Sequence, residues 1–278
     1  MNDLQKKILD IYKHISMICC KNNISYFAIG GTCIGAVRHR GFIPWDDDLD
    51  IAVPIEQYAQ FKKCMIQQLP DNLYLYDCDT VKEYRQLFCK VCDRNTTFIE
   101  KAEAPYVDAY KGVFVDIMPL SGVPAGKKEQ GHFIKKLKLY QTLNFIKRYP
   151  YSEMNQIKTK ATWVANRLLD FYHPFTVYSD RSYSLLKKYP LKSSKYTGYV
   201  WSYQLSRLIF PQALFSSYIE MPFEDTLIRC PIGYDEYLKH QFGDYMELPP
   251  ENQRIQHHPY IVDLQYSYQE YAEGKRSK

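Results

Sequence analysis

Residues 30–51 read GGTCIGAVRHRGFIPWDDDLDI. Two adjacent glycines, Gly30 and Gly31, end a short apolar run of β type over 26–29 (YFAI). Thr32 then stands where it can cap a short helix over 33–38. Residues 41–44 (GFIP) form a returning loop. Over 48–53 polar and apolar residues alternate, so this stretch is expected to be a strand. Side chains two apart on a strand point the same way, which puts Asp48 and Asp50 on one face with Cα atoms about 6.6 Å apart. Leu49, Ile51 and Val53 point the other way, into a core. Two carboxylates held side by side repel each other. A divalent cation between them removes that cost, and magnesium prefers oxygen ligands of this kind.

Two other readings compete with a catalytic metal. Runs of charge are usually solvated, but Asp48 and Asp50 sit inside an apolar segment and not beside one. Asp46, Asp48 and Asp50 occupy the first, third and fifth positions of a calcium-binding loop. That pattern then fails, because its sixth position is Ile51 instead of Gly and its twelfth is Gln57 instead of Glu.

A second signal lies at 112–120, GVFVDIMPL. Asp116 is its one charge. A lone carboxylate in a buried strand is costly unless it is paired or holds a metal. Asp116 is therefore the natural third ligand or base beside Asp48 and Asp50. The competing reading pairs it with a buried arginine.

The pattern GGT-x-x-GA-x-RH-x-GFIPWDDD-x-D resembles the signature of the LicD family of phosphotransferases, relatives of the fukutin-type ribitol-phosphate transferases. That family is similar to the nucleotidyltransferase superfamily, whose core pairs a glycine turn with an Asp-x-Asp strand and adds a carboxylate from a later strand. The C-terminal stretch FPQALFSSYIEMPFEDTLIRCPIGYDEYLKHQFGDYMELPPENQR also resembles the family, although Asp225 stands where the family more often has glycine. The resemblance is silent over roughly 121–205.

The resemblance implies an α/β (α+β) fold. A mixed nucleotidyltransferase-like sheet with helices is expected over 1–120. A largely helical or mixed remainder over 121–278 would complete the donor and acceptor sites. It implies transfer of a phosphorylated alcohol, phosphocholine or a similar polyol or glycerol phosphate, from a CDP-activated donor. The acceptor would be a sugar hydroxyl of a cell-surface glycan precursor, lipid-linked and belonging to lipopolysaccharide, capsule or teichoic acid, and CMP would leave. Asp48, Asp50 and Asp116 would bind Mg2+, or Mn2+ in its place, with Asp116 also taking the acceptor's proton. Gly30, Gly31 and Thr32 would offer backbone N–H groups and a hydroxyl to the donor phosphates. Arg38 and Lys90 are candidate phosphate cations, against structural and surface roles respectively. Arg254 would clamp a phosphate. Trp45 either stacks on a base or anchors its loop. Two alternatives stay open: a nucleotidyltransferase releasing pyrophosphate, which would use the same carboxylates, and a non-enzymatic metal-stabilised binding module.

The bulk properties agree with a globular enzyme. The chain has 278 residues, 46% of them hydrophobic, enough for a sizeable core. Its net charge of +5 suits an anionic substrate or membrane surface and is too small to argue nucleic acid. No apolar run approaches the ~20 residues that span a bilayer, and the first residues are polar. The expected location is the cytoplasm, with peripheral contact at the inner face of the membrane. Of the eight cysteines, Cys89 and Cys92 form a CxxC with no second pair at zinc spacing, so core thiols are expected. The 26 tyrosines either form cages for a quaternary ammonium or pack in the ordinary way.

Helices are expected over 3–22, 55–69, 127–149, 155–172, 177–189 and 235–242, and strands over 73–76, 87–92 and 97–99. Asp93-Arg94-Asn95 reads as a turn that would join the last two strands as a hairpin. The adjacent His257 and His258 read as surface residues, which argues against zinc.

Overall fold

A seven-stranded mixed sheet carries the site. The computed structural model describes residues 1–82, 84–101, 103–104, 109–148, 164, 168, 174–199, 208–254 and 259–276. The sheet contains β1 (Phe27–Ala28), β2 (Asp50–Pro54), β3 (Leu73–Tyr76), β4 (Cys89–Asp93), β6 (Phe114–Val123), β7 (Tyr196–Tyr199) and β8 (Ile209–Pro211). Its spatial order is β1-β2-β6-β4-β3. Strands β2 and β6 are parallel and the other pairs are antiparallel. Leu120 lies opposite both Pro54 and Tyr199, so β7 continues along the side of β6 that β4 has left. All ten residues of β6 are buried, as its nearly unbroken apolar sequence requires for a central strand.

The seven described α-helices are α1 (Asp3–Lys21), α2 (Gly30–Ile34), α3 (Ile55–Gln68), α4 (Lys127–Lys147), α5 (Val177–Leu186), α6 (Tyr234–Phe242) and α7 (Tyr268–Ala272). A single π-helical turn, Gly35–His39, continues α2. Asn2 and Gln5 close a capping box at the start of α1. Ile8, Ile11, Ile15 and Ile18, spaced by three or four residues, form one buried stripe along it. Pro54 ends β2 and leads into α3, whose Tyr58 donates its hydroxyl to the carbonyl of Ile117 in β6. That bond locks the helix over the sheet's central strand. Gly243 stops α6 with a φ of 72°, a conformation that favours glycine. Every cysteine except Cys20 is buried, in line with core thiols.

Three local expectations change. The hairpin between β4 and β5 (Thr97–Ile99) does not form. Both edges of β4 are taken by β3 and β6, and β5 instead pairs with β11 (Ile261–Asp263). The acidic strand begins at Asp50 and not at Asp48. β1 is two residues long and leaves the sheet at Gly30, so the residues before Asp50 have no strand to pair with on that side. The helix expected over 33–38 begins earlier, at Gly30, and Thr32 lies inside it. Its hydroxyl does not cap the helix but accepts from the backbone N–H of Asp50 at 2.8 Å.

The β9–β10 hairpin (Tyr218–Phe223 and Thr226–Pro231) docks on the signature loop. Glu224, at its tip, donates its N–H to the Arg40 carbonyl and accepts from the N–H of Phe42. Most of the helix expected over 155–172, and His257 and His258, lie outside the described residues. Among the described residues no helix is long and apolar enough to cross a membrane.

Candidate active site

Strand register builds the centre of the site. Asp116 in β6 stands directly opposite Asp50 in β2 on one side and Lys90 in β4 on the other. Directly opposed residues in a sheet project from the same face. The result is one row, Lys90–Asp116–Asp50, across three adjacent strands. The row is pinned from below by backbone bonds: Asp116 N–H donates to the Leu49 carbonyl and Ile29 N–H to the Asp50 carbonyl.

The second part is the loop before β2. Asp46, Asp47 and Asp48 are not on a strand, so they do not alternate. One carboxylate oxygen from each lies within 4.8 Å of the others. Buried Gln5 fixes this loop by donating its amide to the carbonyls of Ile43 and Asp46. Gly31 makes room for it: a Cβ there would lie 2.8 Å from Asp46 Oδ2. Gly30 holds a left-handed φ of 56°, and a Cβ on it would face Asp50 Oδ2 at 3.7 Å. The close approach of the glycine turn is thus to the protein's own carboxylates. The N–H of Gly30 donates to the Tyr237 hydroxyl at 2.8 Å.

The electrostatics follow from crowding. Burial first, then Asp48, Asp116 and Asp46, hold the Asp50 carboxyl well above its usual range, with Lys90 opposing. Burial also raises Asp116, to about 6, against the pull of Lys90. The Lys90 ammonium lies 2.7 Å from Asp116 Oδ1, with only 4% of the lysine side chain exposed. The contact is a charge-assisted ion pair, and a carboxylate oxygen has a second lone pair, so Oδ1 keeps capacity for another ligand. Burial opposes the charge on Lys90, but Asp116 and Glu100 outweigh it and keep the ammonium charged. Lys90 also lies 3.5 Å from the centre of the Phe114 ring. It is therefore not a surface lysine. Asp116 is paired with a buried lysine where an arginine had been the competing expectation.

A cavity of about 290 Å3 opens from this row. Asp47, Asp48, Asp50 and Asp116 line one part, and Tyr84, Phe88, Phe98 and Glu100 line another. The donor set is all carboxylate oxygen, crowded and short of positive charge. That is the chemistry of a hard divalent cation.

The remaining expected residues lie elsewhere. Arg38 donates to the carbonyls of Tyr245 and Glu247, holding the chain after α6 against the π turn. Arg254 lies 5.1 Å over the Trp45 ring and donates to the Pro249 carbonyl. Neither lines the cavity. Trp45 is thereby engaged from the C-terminal side, as a loop anchor would be. The sequence reading gave no role to Asp46, Asp47, Gln5, Tyr84 or Glu100. Only the first two carried a signal, the Asp triplet itself.

Residues 23–178 match the LicD/FKTN/FKRP nucleotidyltransferase domain. The chain is 30% identical over 268 residues to the lipopolysaccharide cholinephosphotransferase LicD of Haemophilus influenzae, covering 93% of this chain and 96% of that protein. An uncharacterized protein of Rickettsia typhi is 44% identical over 66 residues, 23% of this chain and 21% of that protein. Another from Rickettsia prowazekii is 43% identical over 65 residues, 22% of this chain and 24% of that protein.

Proposed function

The chain belongs to the LicD/FKTN/FKRP nucleotidyltransferase-domain family of transferases, and from that premise we propose that it moves phosphocholine or a similar phosphorylated alcohol from a CDP-linked donor to a sugar hydroxyl. The acceptor in this reading is a glycan precursor of the lipopolysaccharide type, after the relative from Haemophilus influenzae. The observation that carries it is the register of Asp50 and Asp116 beside the converging Asp46–Asp48 loop. Such a cluster suits phosphoryl transfer, which is mostly positioning and charge stabilisation.

Asp48, Asp50 and Asp116, with Asp46 and Asp47 of the converging loop, would hold magnesium or manganese. The bound cation would supply neutralisation of charge on the phosphoryl oxygens. Asp116 takes the proton of the acceptor hydroxyl, from a position fixed by its ion pair with Lys90. The acceptor oxygen bonds to the donor's alcohol-side phosphorus. The bond from that phosphorus to the bridging oxygen breaks, and CMP departs with the electron pair. Lys90 keeps Asp116 oriented and stays charged throughout. Arg38 and Arg254 act at a distance, by holding the C-terminal segment against the signature loop. Gly31 serves the donor side by letting Asp46 approach. The proposed working place is the cytoplasmic face of the membrane, where such an acceptor would be met.

Incubation with CDP-choline, Mg2+ and methyl glycosides, followed by phosphorus NMR, tests this reading. It predicts CMP and a sugar phosphodiester. Release of pyrophosphate from a nucleoside triphosphate, with CDP-choline untouched, would replace it with nucleotidyl transfer.

A further inference from the structure

The cavity holds a hydroxyl that none of the described residues uses. Tyr84 is 3% exposed, and its buried hydroxyl has no hydrogen-bond partner among the described residues. An orphaned buried donor is costly, and one that lines a cavity is placed to be satisfied by what the cavity binds. The hydroxyl is firmly placed. The Tyr84 ring packs edge-on against Tyr76 at 4.8 Å and Phe88 at 6.2 Å. The backbone of its loop is clamped by buried Arg148, which donates to the carbonyls of Cys78, Val81, Lys82 and Tyr84. Asn144 holds the next residue through the Arg85 carbonyl. Burial, and then Asp116, raise the pKa of the hydroxyl, so it carries its proton.

The surroundings say what would accept that proton. Tyr84, Phe88, Phe98 and Phe114 give this part of the cavity an aromatic wall, and Glu100 and Asp116 give it carboxylates. A quaternary ammonium is poorly served here. The ring of Phe114 already faces two fixed ammonium groups, Lys90 at 3.5 Å and Lys111 at 5.2 Å, so its face is not free for a third cation. A sugar matches better. Its C–H face packs on aromatic rings, and each of its hydroxyls both donates and accepts.

We propose that this aromatic end of the cavity is the acceptor's sugar subsite, in which one sugar hydroxyl accepts from Tyr84 Oη and another donates to Glu100. The assignment rests on the phosphotransfer reading and deepens it. It places the acceptor, and not the donor's alcohol, against Tyr84.

The test is Tyr84→Phe, which keeps the ring and removes only the oxygen. With CDP-choline as donor and methyl glycosides as acceptors, acceptor KM should rise about three- to tenfold, the worth of one hydrogen bond. Donor KM should stay unchanged. Thermal denaturation adds a readout that a structural role would move the other way. Loss of an orphaned hydroxyl should leave Tm equal or higher, whereas a bonded one would lower it. An unchanged acceptor KM, a raised donor KM, or a clearly lowered Tm overturns the assignment. If the wild-type protein releases no CMP at all, the phosphotransfer reading fails instead. Saturation-transfer NMR of methyl glycoside binding to both proteins still decides the subsite. Weaker binding to Tyr84→Phe supports it, and equal binding, or none to either, overturns it.

Discussion

Replacing Lys90 with Met should expose how much the Lys90–Asp116–Asp50 row costs the fold. Met keeps most of the side-chain volume and removes the charge. The ion pair is 2.7 Å long, and its side chains are 4% and 11% exposed, so solvent screens it little. Breaking one side of such a buried pair costs about 3–5 kcal/mol, because the remaining charge is stranded. The loss should depend on pH. In the wild-type protein Asp116 sits at about 6, above the usual value for aspartate. The native state therefore binds the extra proton between about pH 4 and pH 6, and stability falls with rising pH across that window before levelling off. Without Lys90 the native value rises further. The fall then continues past pH 6, at up to about 1.4 kcal/mol per pH unit. Urea denaturation in EDTA at pH 5.5 and pH 7.5 measures both effects. A deficit below about 1 kcal/mol at pH 7.5, or an equal deficit at the two pH values, would refute the reasoning.

Asp50→Asn should remove transfer activity yet leave the metal-free protein as stable or more stable, since it relieves repulsion by Asp48 and Asp116. Retained turnover, or a large stability loss in EDTA, would count against that assignment. Gly31→Ala should displace the Asp46 carboxylate, which a new Cβ meets at 2.8 Å. It should weaken Mn2+ binding more than it lowers Tm, and titration of the folded variant with Mn2+ checks this.

Much of the site was legible because its geometry is local or costly. Asp48 and Asp50 flank a core residue, and Asp116 is the one charge of a buried strand. A carboxylate in such a place has few reasons to exist. Lys90 was ambiguous because a lysine on a strand is ordinary until its neighbour is known, and its neighbour is 26 positions away, in β6. The hairpin expected after β4 failed for the same reason: a turn sequence is local, but the edges of a strand are filled by whatever the topology brings. Asp46 and Asp47 lie just before the strand expected over 48–53, and no local pattern shows that the loop there brings their carboxylates together with that of Asp48. Tyr84 had no signal at all. Two buried tyrosine hydroxyls, those of Tyr74 and Tyr84, lack a hydrogen-bond partner among the described residues, and only the fold shows that Tyr84 is the one lining the cavity beside Asp116.

The central claim is that the loop carboxylates and Asp116 form one metal centre, although more than 60 residues of sequence separate them. Mn2+ binding, followed by electron paramagnetic resonance on the wild-type protein, Asp48→Asn and Asp116→Asn, tests it most directly. The structure predicts Mn2+ binding by the wild type and a marked loss in both variants. Binding that survives Asp116→Asn undiminished, or a wild type that binds no Mn2+, would contradict the account.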